Sequence, residues 1–346
     1  WRNFMSRYPE ANWMHKRMQA LSARLAALPA APPDLTGALY RAQANDAYWH
    51  GLFGGLYLPH LRRAVWNNIL ALEAGLDRLQ PRAASVPADM DLDGCRETFL
   101  TTPLLQIALR DDGLGAVHEL ASYPMTHNFG DTLRRHHEHY HERIGAGPSQ
   151  HDGAGIASAH DIVRFKHPVE PADVRPDAHP RVIWLDQLDG HALTDYRQAD
   201  STPAHFQREG IDKRYTVDAA GVSVHWRLRG LAGRHFATTL NLAMPSCDGF
   251  LGRYVLDDGH IPCGFGQALD LPEATGLTLE DGVLGGLLHL TCRPPAQICG
   301  RPHHTVSQSE AGFEKIMQAA EIHLSWTIPG DDCAFQLQIT IEPRTP

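Results

Sequence analysis

Between Ala44 and Arg62 the chain reads Ala-Asn-Asp-Ala-Tyr-Trp-His-Gly-Leu-Phe-Gly-Gly-Leu-Tyr-Leu-Pro-His-Leu-Arg, so Asn45, Asp46, Tyr48, Trp49 and His50 fall within six residues. An indole face stacks on a sugar ring, while amide, carboxylate and imidazole groups hydrogen-bond its hydroxyls. The same residue types also suit an ordinary interior. Tyr48 and Trp49 can be core aromatics and Asp46 the cap of a turn, because large aromatics are mostly buried. Residue chemistry leaves both readings open.

A second pattern, His137-Glu138-His139-Tyr140-His141, has the His-Glu-x-x-His spacing that places two zinc ligands and a water-activating glutamate on one helix face. It lies in a tract with His127, His136, His137, His139, His141 and His151, where such a spacing arises easily by chance. Arg134, Arg135, Glu142 and Arg143 flank it, which points to a solvated helix rather than a buried metal holder. No metal and no cofactor is expected. Cys95, Cys247, Cys263, Cys292, Cys299 and Cys333 are scattered without a Cys-x-x-Cys pair. That excludes a zinc ribbon or disulfide scaffold and fits free thiols in a reducing cytoplasm. Pro262-Cys263-Gly264-Phe265-Gly266 reads as a turn.

The elements that must position the 45–50 cluster are helical. Met14, Met18, Leu21, Leu25 and Leu28 recur at helical spacing, and Pro29, Pro32 and Pro33 stop that helix. A second helix is expected from near Asp34 into Tyr48, delivering the cluster to its C-terminal end with Gly51 as a stop. A third starts at Pro59 and carries Leu61, Val65, Ile69, Leu72, Leu76 and Leu79 on one stripe. Together they make a three-helix bundle over 1–82. A polar, Pro-bearing stretch that includes Ser85 reads as a linker over 83–90.

Beyond it the period falls towards two. Leu105, Ile107 and Leu109 alternate, and Asp111-Asp112-Gly113 suits a turn into the next strand. Val222 to Leu228, Ile322 to Ile328 and Phe335 to Ile341 alternate in the same way. Many short strands punctuated by glycine and proline predict an antiparallel β-sandwich over 91–346, so the fold class is α + all-β. Trp184, Trp226 and Trp326 are expected in its core.

Composition excludes several function classes. At 346 residues, 43% hydrophobic and 21% charged, the chain is not disordered. It carries 31 Lys and Arg against 40 Asp and Glu, a net charge of −9, which disfavours nucleic acid and anionic membranes as partners. The longest uncharged run, Ala47–Leu61, holds two histidines and a proline and is too short to span a bilayer. The chain opens on Trp1 without a secretory leader, and is expected to be a piece of something longer.

The Ala44–Arg62 segment resembles the fifth conserved region of glycoside hydrolase family 57, in its 4-α-glucanotransferase and α-amylase branch. The opening Trp1-Arg2-Asn3-Phe4, then Tyr8-Pro9-Glu10, Asn12 and Met14-His15-Lys16-Arg17-Met18, is similar to the stretch that leaves that family's catalytic barrel. His118-Glu119-Leu120, Asn128 and Leu133-Arg134-Arg135 through Tyr140-His141 fit its sandwich. Ala44 stands where many relatives carry Cys, and Ala121 and Thr238-Thr239 stand where acidic residues are usual.

The resemblance implies a helical central domain and a galactose-mutarotase-like sandwich. It also implies a retaining mechanism that acts on α-1,4-glucan with two carboxylates about 5 Å apart. Those carboxylates belong to an N-terminal barrel whose His-Gln-Pro signature is not found in this sequence. No catalytic residue is therefore assigned here. By position, Asp46, Trp49 and His50, supported by Asn45 and Tyr48, would form one wall of the glucan cleft. Trp49 would be the stacking platform, and His50 and Asp46 would bond hydroxyls or orient a catalytic carboxyl. The expected partners are an α-1,4-glucan (maltooligosaccharide, starch or glycogen), the barrel and a second copy in a homodimer. A stand-alone carbohydrate-binding or assembly module is the alternative.

Overall fold

The computed structural model describes residues 1–51, 54–82, 87–146, 166–199, 202–219, 221–246, 250–309 and 312–344. Leu52 and Phe53, residues 83–86 of the expected linker, His151, Cys247 and the side chain of Arg143 lie outside the described residues.

Prolines set the helix starts. A short helix α1 (Arg2–Arg7) precedes α2 (Pro9–Ala26), and α3 (Pro33–Ala42) and α4 (Pro59–Leu79) follow. Each of the last three carries proline in its first turn, where the missing N–H forfeits no helical bond. Met14, Met18, Leu21 and Leu25 of α2 pack with Leu35 and Leu39 of α3 and with Val65, Ile69, Leu72 and Leu76 of α4. Gly75 lets α3 cross α4 closely, since a Cβ there would overlap the Leu35 side chain. Leu79, expected on the buried stripe, is exposed at the last residue of α4.

The second helix is shorter than expected. It ends at Ala42, and Asn45–Tyr48 forms a separate 3-10 turn. Asn and Asp compete with the helix backbone for hydrogen bonds. The Tyr48 hydroxyl then donates to the Ala42 carbonyl at 2.7 Å, giving one orphan carbonyl of the last turn a partner.

The described strands form one sixteen-stranded sheet in which every pairing is antiparallel. Its path runs Glu97–Thr101, Leu105–Arg110, Val117–Ser122, Ile183–Leu188, His235–Leu242, Gly312–Thr327 and Gly286–Ser309. It continues through Asp332–Pro343, Gly221–Arg229, Ile211–Val217 and Thr202–Arg208 to Arg197–Ala199. The Gly286–Ser309 strand pairs with three others and carries the sheet from one layer to the next. The layers close on each other: Leu105, Ile107 and Leu109 from one end share a core with Phe206, Ile211 and Tyr215 from the other. The Tyr215 hydroxyl donates to Gly115 O at 2.7 Å across that closure. The fold is α plus an antiparallel sandwich, with Trp184, Trp226 and Trp326 buried in it. Among the described residues no helix is long and apolar enough to cross a membrane.

A buried ionic seam joins bundle to sheet. Arg17 of α2 donates from Nη1 and Nη2 to the two oxygens of Glu73 on α4 at 3.0 and 2.7 Å, and from Nε to Glu119 of the sheet at 3.0 Å. Trp13 Nε1 and Gln106 Nε2 complete Glu119, and Arg82 and the Tyr123 hydroxyl complete Glu73. A groove of about 1220 Å³ opens along this seam, and its lining includes no residue of the 44–57 segment.

His127, at the edge of the sheet, makes stability depend on pH. Its Nε2 donates to Ala243 O at 2.7 Å, and burial lowers its pKa to about 4. Between that value and the ordinary 6.5 the unfolded chain takes up a proton that the native one refuses, so acidification destabilises. The loss expected from this group is about 1.5 kcal/mol between pH 6.5 and 5. His127→Gln keeps a donor for Ala243 O and should lose that much less over the same window in denaturant titrations. Equal losses in the two proteins would remove His127 as the cause.

Candidate functional site

After the 3-10 turn, Trp49 is extended (φ −137°, ψ 168°), and the chain turns back sharply enough for Leu56 N to donate to Trp49 O at 2.8 Å. Only glycine permits this. Gly54 and Gly55 have φ of 89° and 53°, and a Cβ on Gly55 would overlap the Trp49 carbonyl. Trp49 folds over Gly51, whose own Cβ would overlap the indole ring. The far end of the loop is fixed by buried Arg62 of α4, which donates to Leu56 O at 2.5 Å and to Gln318 Oε1 of the sheet at 2.9 Å. Gly55→Ala should therefore destabilise the protein by about 1–3 kcal/mol, seen as a lower thermal midpoint. A midpoint unchanged within error would show that the turn is not tight.

The five residues picked out from the sequence share this one loop, but they are not on one helical face, since the helix has already ended. Asn45 and Asp46 are exposed. Tyr48 is 2% exposed and spends its hydroxyl on Ala42. Trp49 is 37% exposed, so it is not a core residue. Its neighbour His50 is held from both sides.

The hydrogen bonds around His50 define its tautomer. Nδ1 lies 3.0 Å from Gly54 O, an acceptor only, so Nδ1 carries the proton. Nε2 then accepts from the Tyr140 hydroxyl at 3.1 Å. Burial lowers the His50 pKa, keeping the ring neutral at pH 7 and consistent with a single ring proton. Tyr57 packs on the ring with centroids 4.2 Å apart. Both ring nitrogens are thus used within the chain.

Behind the loop sits Glu138. Its Oε1 accepts from the Tyr8 and Tyr57 hydroxyls, each at 2.7 Å, and its Oε2 from Arg7 Nη2 at 3.0 Å. Burial opposes its ionisation, but the two hydroxyls, His50 and Arg7 outweigh it and hold the carboxyl below its ordinary pKa. The backbone N–H of Glu138 donates to His141 Nδ1 at 3.3 Å, and His141 Nε2 donates to Val306 O at 3.2 Å.

The His-Glu-x-x-His spacing consequently does not build a metal face. Residues 131–138 form no helix, a 3-10 turn begins only at His139, and His137 and His139 are exposed while His141 is buried. Sequence reasoning missed Glu138, Tyr8, Tyr57 and Tyr140 as the loop's support. Glu138 lies 81 and 130 residues from its tyrosine partners, and no local spacing marks such a pairing.

Comparison with known proteins gives consistent results. The model of the α-amylase/4-α-glucanotransferase C-terminal domain matches residues 89–341, and that of the middle domain of the same proteins matches residues 1–76. A 4-α-glucanotransferase of Thermococcus kodakarensis is 30% identical over 96% of this chain and 51% of its own length. An α-amylase of Pyrococcus horikoshii is 41% identical over 92% of this chain and 47% of its own. The chain spans about half the length of these relatives. The crystal structure of the Thermococcus litoralis 4-α-glucanotransferase shares the fold, with a TM-score of 0.72 at 22% identity over 98% of this chain and 51% of that one.

Proposed function

The chain belongs to the α-amylase/4-α-glucanotransferase family, and from that premise we propose that it serves an enzyme acting on α-1,4-glucan by supplying one wall of the sugar cleft of a catalytic barrel. Its part is to bind and orient rather than to perform the bond exchange. One observation carries this reading: Trp49 is 37% exposed on a loop where its neighbours Tyr48 and His50 are both tied inward. A rigid, exposed indole beside the exposed Asn45 and Asp46 is what stacking and hydroxyl recognition of a sugar require. His50 and Tyr48 hold the loop in shape.

The carboxylates around the loop support the assignment of catalysis elsewhere. A retaining mechanism needs a nucleophile and an acid–base carboxyl about 5 Å apart. Asp46 is the loop's own carboxylate, and Glu138 behind it has both oxygens bonded to the chain's own donors. The described cysteines are free, which supports a place in a reducing cytoplasm.

The chain alone should neither hydrolyse nor disproportionate maltooligosaccharides. In the whole enzyme, Trp49→Ala should weaken glucan binding by about 1–3 kcal/mol, the scale of one large aromatic face, with the thermal midpoint preserved. Asp46→Asn should lower turnover while leaving the fold intact. A sharp fall in midpoint with unchanged kcat/KM for Trp49→Ala would instead make the indole a packing residue. Glucan binding by the chain alone, as tight as that of the whole enzyme, would favour a separate binding module.

A further inference from the structure

The segment entering the first strand reads Asp89-Met90-Asp91-Leu92-Asp93-Gly94-Cys95-Arg96-Glu97. Carboxylates at its first, third and fifth positions with glycine at the sixth have the spacing of loops that wrap a hard cation. Glu97 stands at the ninth position rather than the twelfth, so the loop is not an EF-hand. It winds around Asp89, whose two oxygens accept from Asp93 N and Gly94 N at 3.1 and 3.0 Å.

Spacing alone would not make a site, but two of these carboxylates are sealed inside the protein with oxygens to spare. The side chains of Asp91 and Glu97 are each 1% exposed. Glu97 Oε2 accepts from Met90 N at 2.8 Å, yet Glu97 Oε1 and Asp91 Oδ1 have no hydrogen-bond partner. Arg110 pairs with Asp93, but its Nη1 stands 3.8 Å from Asp91 and its Nε 3.5 Å from Glu97, and that Nε is itself without a hydrogen-bond partner. One guanidinium therefore faces a four-carboxylate loop. Buried carboxylates left in this condition are strongly disfavoured unless a cation or a proton meets them, and burial raises the Asp91 pKa and pushes that of Glu97 up to about 7.

One oxygen each from Asp89, Asp91 and Glu97 lie within 4.8 Å of one another. Oxygens bonded to one calcium ion at about 2.4 Å lie no more than about 4.8 Å apart, so the three can share one ion. Calcium accepts irregular oxygen sets, whereas magnesium demands a near-ideal octahedron and keeps most of its waters. We propose that Asp89, Asp91 and Glu97 form a calcium site where the chain enters the sandwich. Asn12 of α2 donates from Nδ2 to Asp91 O at 2.7 Å, so a bound ion would tie the helical bundle to the first strand. The site is independent of the sugar-binding loop, and its test does not rely on activity.

The purified chain is melted in EDTA, in CaCl2 and in MgCl2, and calcium is titrated calorimetrically. Calcium at 100-fold over its Kd should raise the midpoint by about 4 °C above that in EDTA, with one ion bound per chain and little response to magnesium. Asp91→Asn and Glu97→Gln should abolish the calcium response. In EDTA both variants should melt at or above the parent, because each removes one uncompensated charge. Equal midpoints in CaCl2 and EDTA would overturn the proposal. A calcium response undiminished in both variants, or matched by magnesium, would overturn it as well.

Discussion

Arg17→Met lowers stability by about 3–5 kcal/mol in denaturant titration, the largest single effect expected in this chain. Arg17 is 2% exposed and is the only side chain that donates both to Glu73 and, from a guanidinium, to Glu119 among the described residues. Removing it leaves Glu119 with only the neutral donors Trp13 and Gln106, and Glu73 with Arg82, Tyr123 and Gln106. An unmatched charge at a buried seam costs more than the lost pair was worth. Because these bonds join α2 and α4 to the sheet, the variant should also separate the unfolding of bundle and sandwich into two transitions. Arg17→Lys keeps the charge without the two-pronged geometry, and should fall between parent and Met variant. A Met variant within about 1 kcal/mol of the parent would mean that the seam does not hold the two parts together.

Glu138→Leu comes next, at about 2–5 kcal/mol, since the Tyr8 and Tyr57 hydroxyls both lose their acceptor inside the protein. Tyr57 packs on the His50 ring, so the loop that presents Trp49 should loosen. On the function proposed for this loop, the variant should weaken glucan binding in the whole enzyme although Glu138 is buried behind the loop. Glu138→Gln is the control. Its amide oxygen can still accept from both tyrosines, and only the bond to Arg7 is lost. The Arg7 side chain is 49% exposed, so the change should be worth less than about 1 kcal/mol. Gln and Leu variants that behave alike, in midpoint and in glucan binding, would sink this account of how the loop is held.

Much of the architecture is legible in local patterns. The stripes on α2 and α4 and the alternation at Val222–Leu228, Ile322–Ile328 and Phe335–Ile341 each report one buried face of one element, and those residues are buried except at the stripe ends, where Leu28 and Leu61 are partly buried and Leu79 is exposed. Local pattern fails where a turn wins over propensity. The helix expected to reach Tyr48 ends at Ala42, because the 45–48 segment forms its own turn and the Tyr48 hydroxyl bonds back to the helix end. It fails again at 137–141, where the spacing i, i+4 means a shared face only if the backbone is helical, and here it is not.

The sequence by itself thus determined that helices come first and that an antiparallel sandwich follows, because period and composition act within a window of a few residues, and it offered Asn45 to His50 only as candidates. Only the tertiary structure decided which of those side chains face outward. Trp49 stays half-exposed because glycines at 51, 54 and 55 fold the loop back beneath it, while His50 is turned inward by Tyr57, Tyr140 and Gly54. Glu138, Arg17, Glu73 and Glu119 each bond to a partner at least 56 residues away. A buried charge or hydroxyl must find its counterpart in space, and no spacing along the chain records where that counterpart will be.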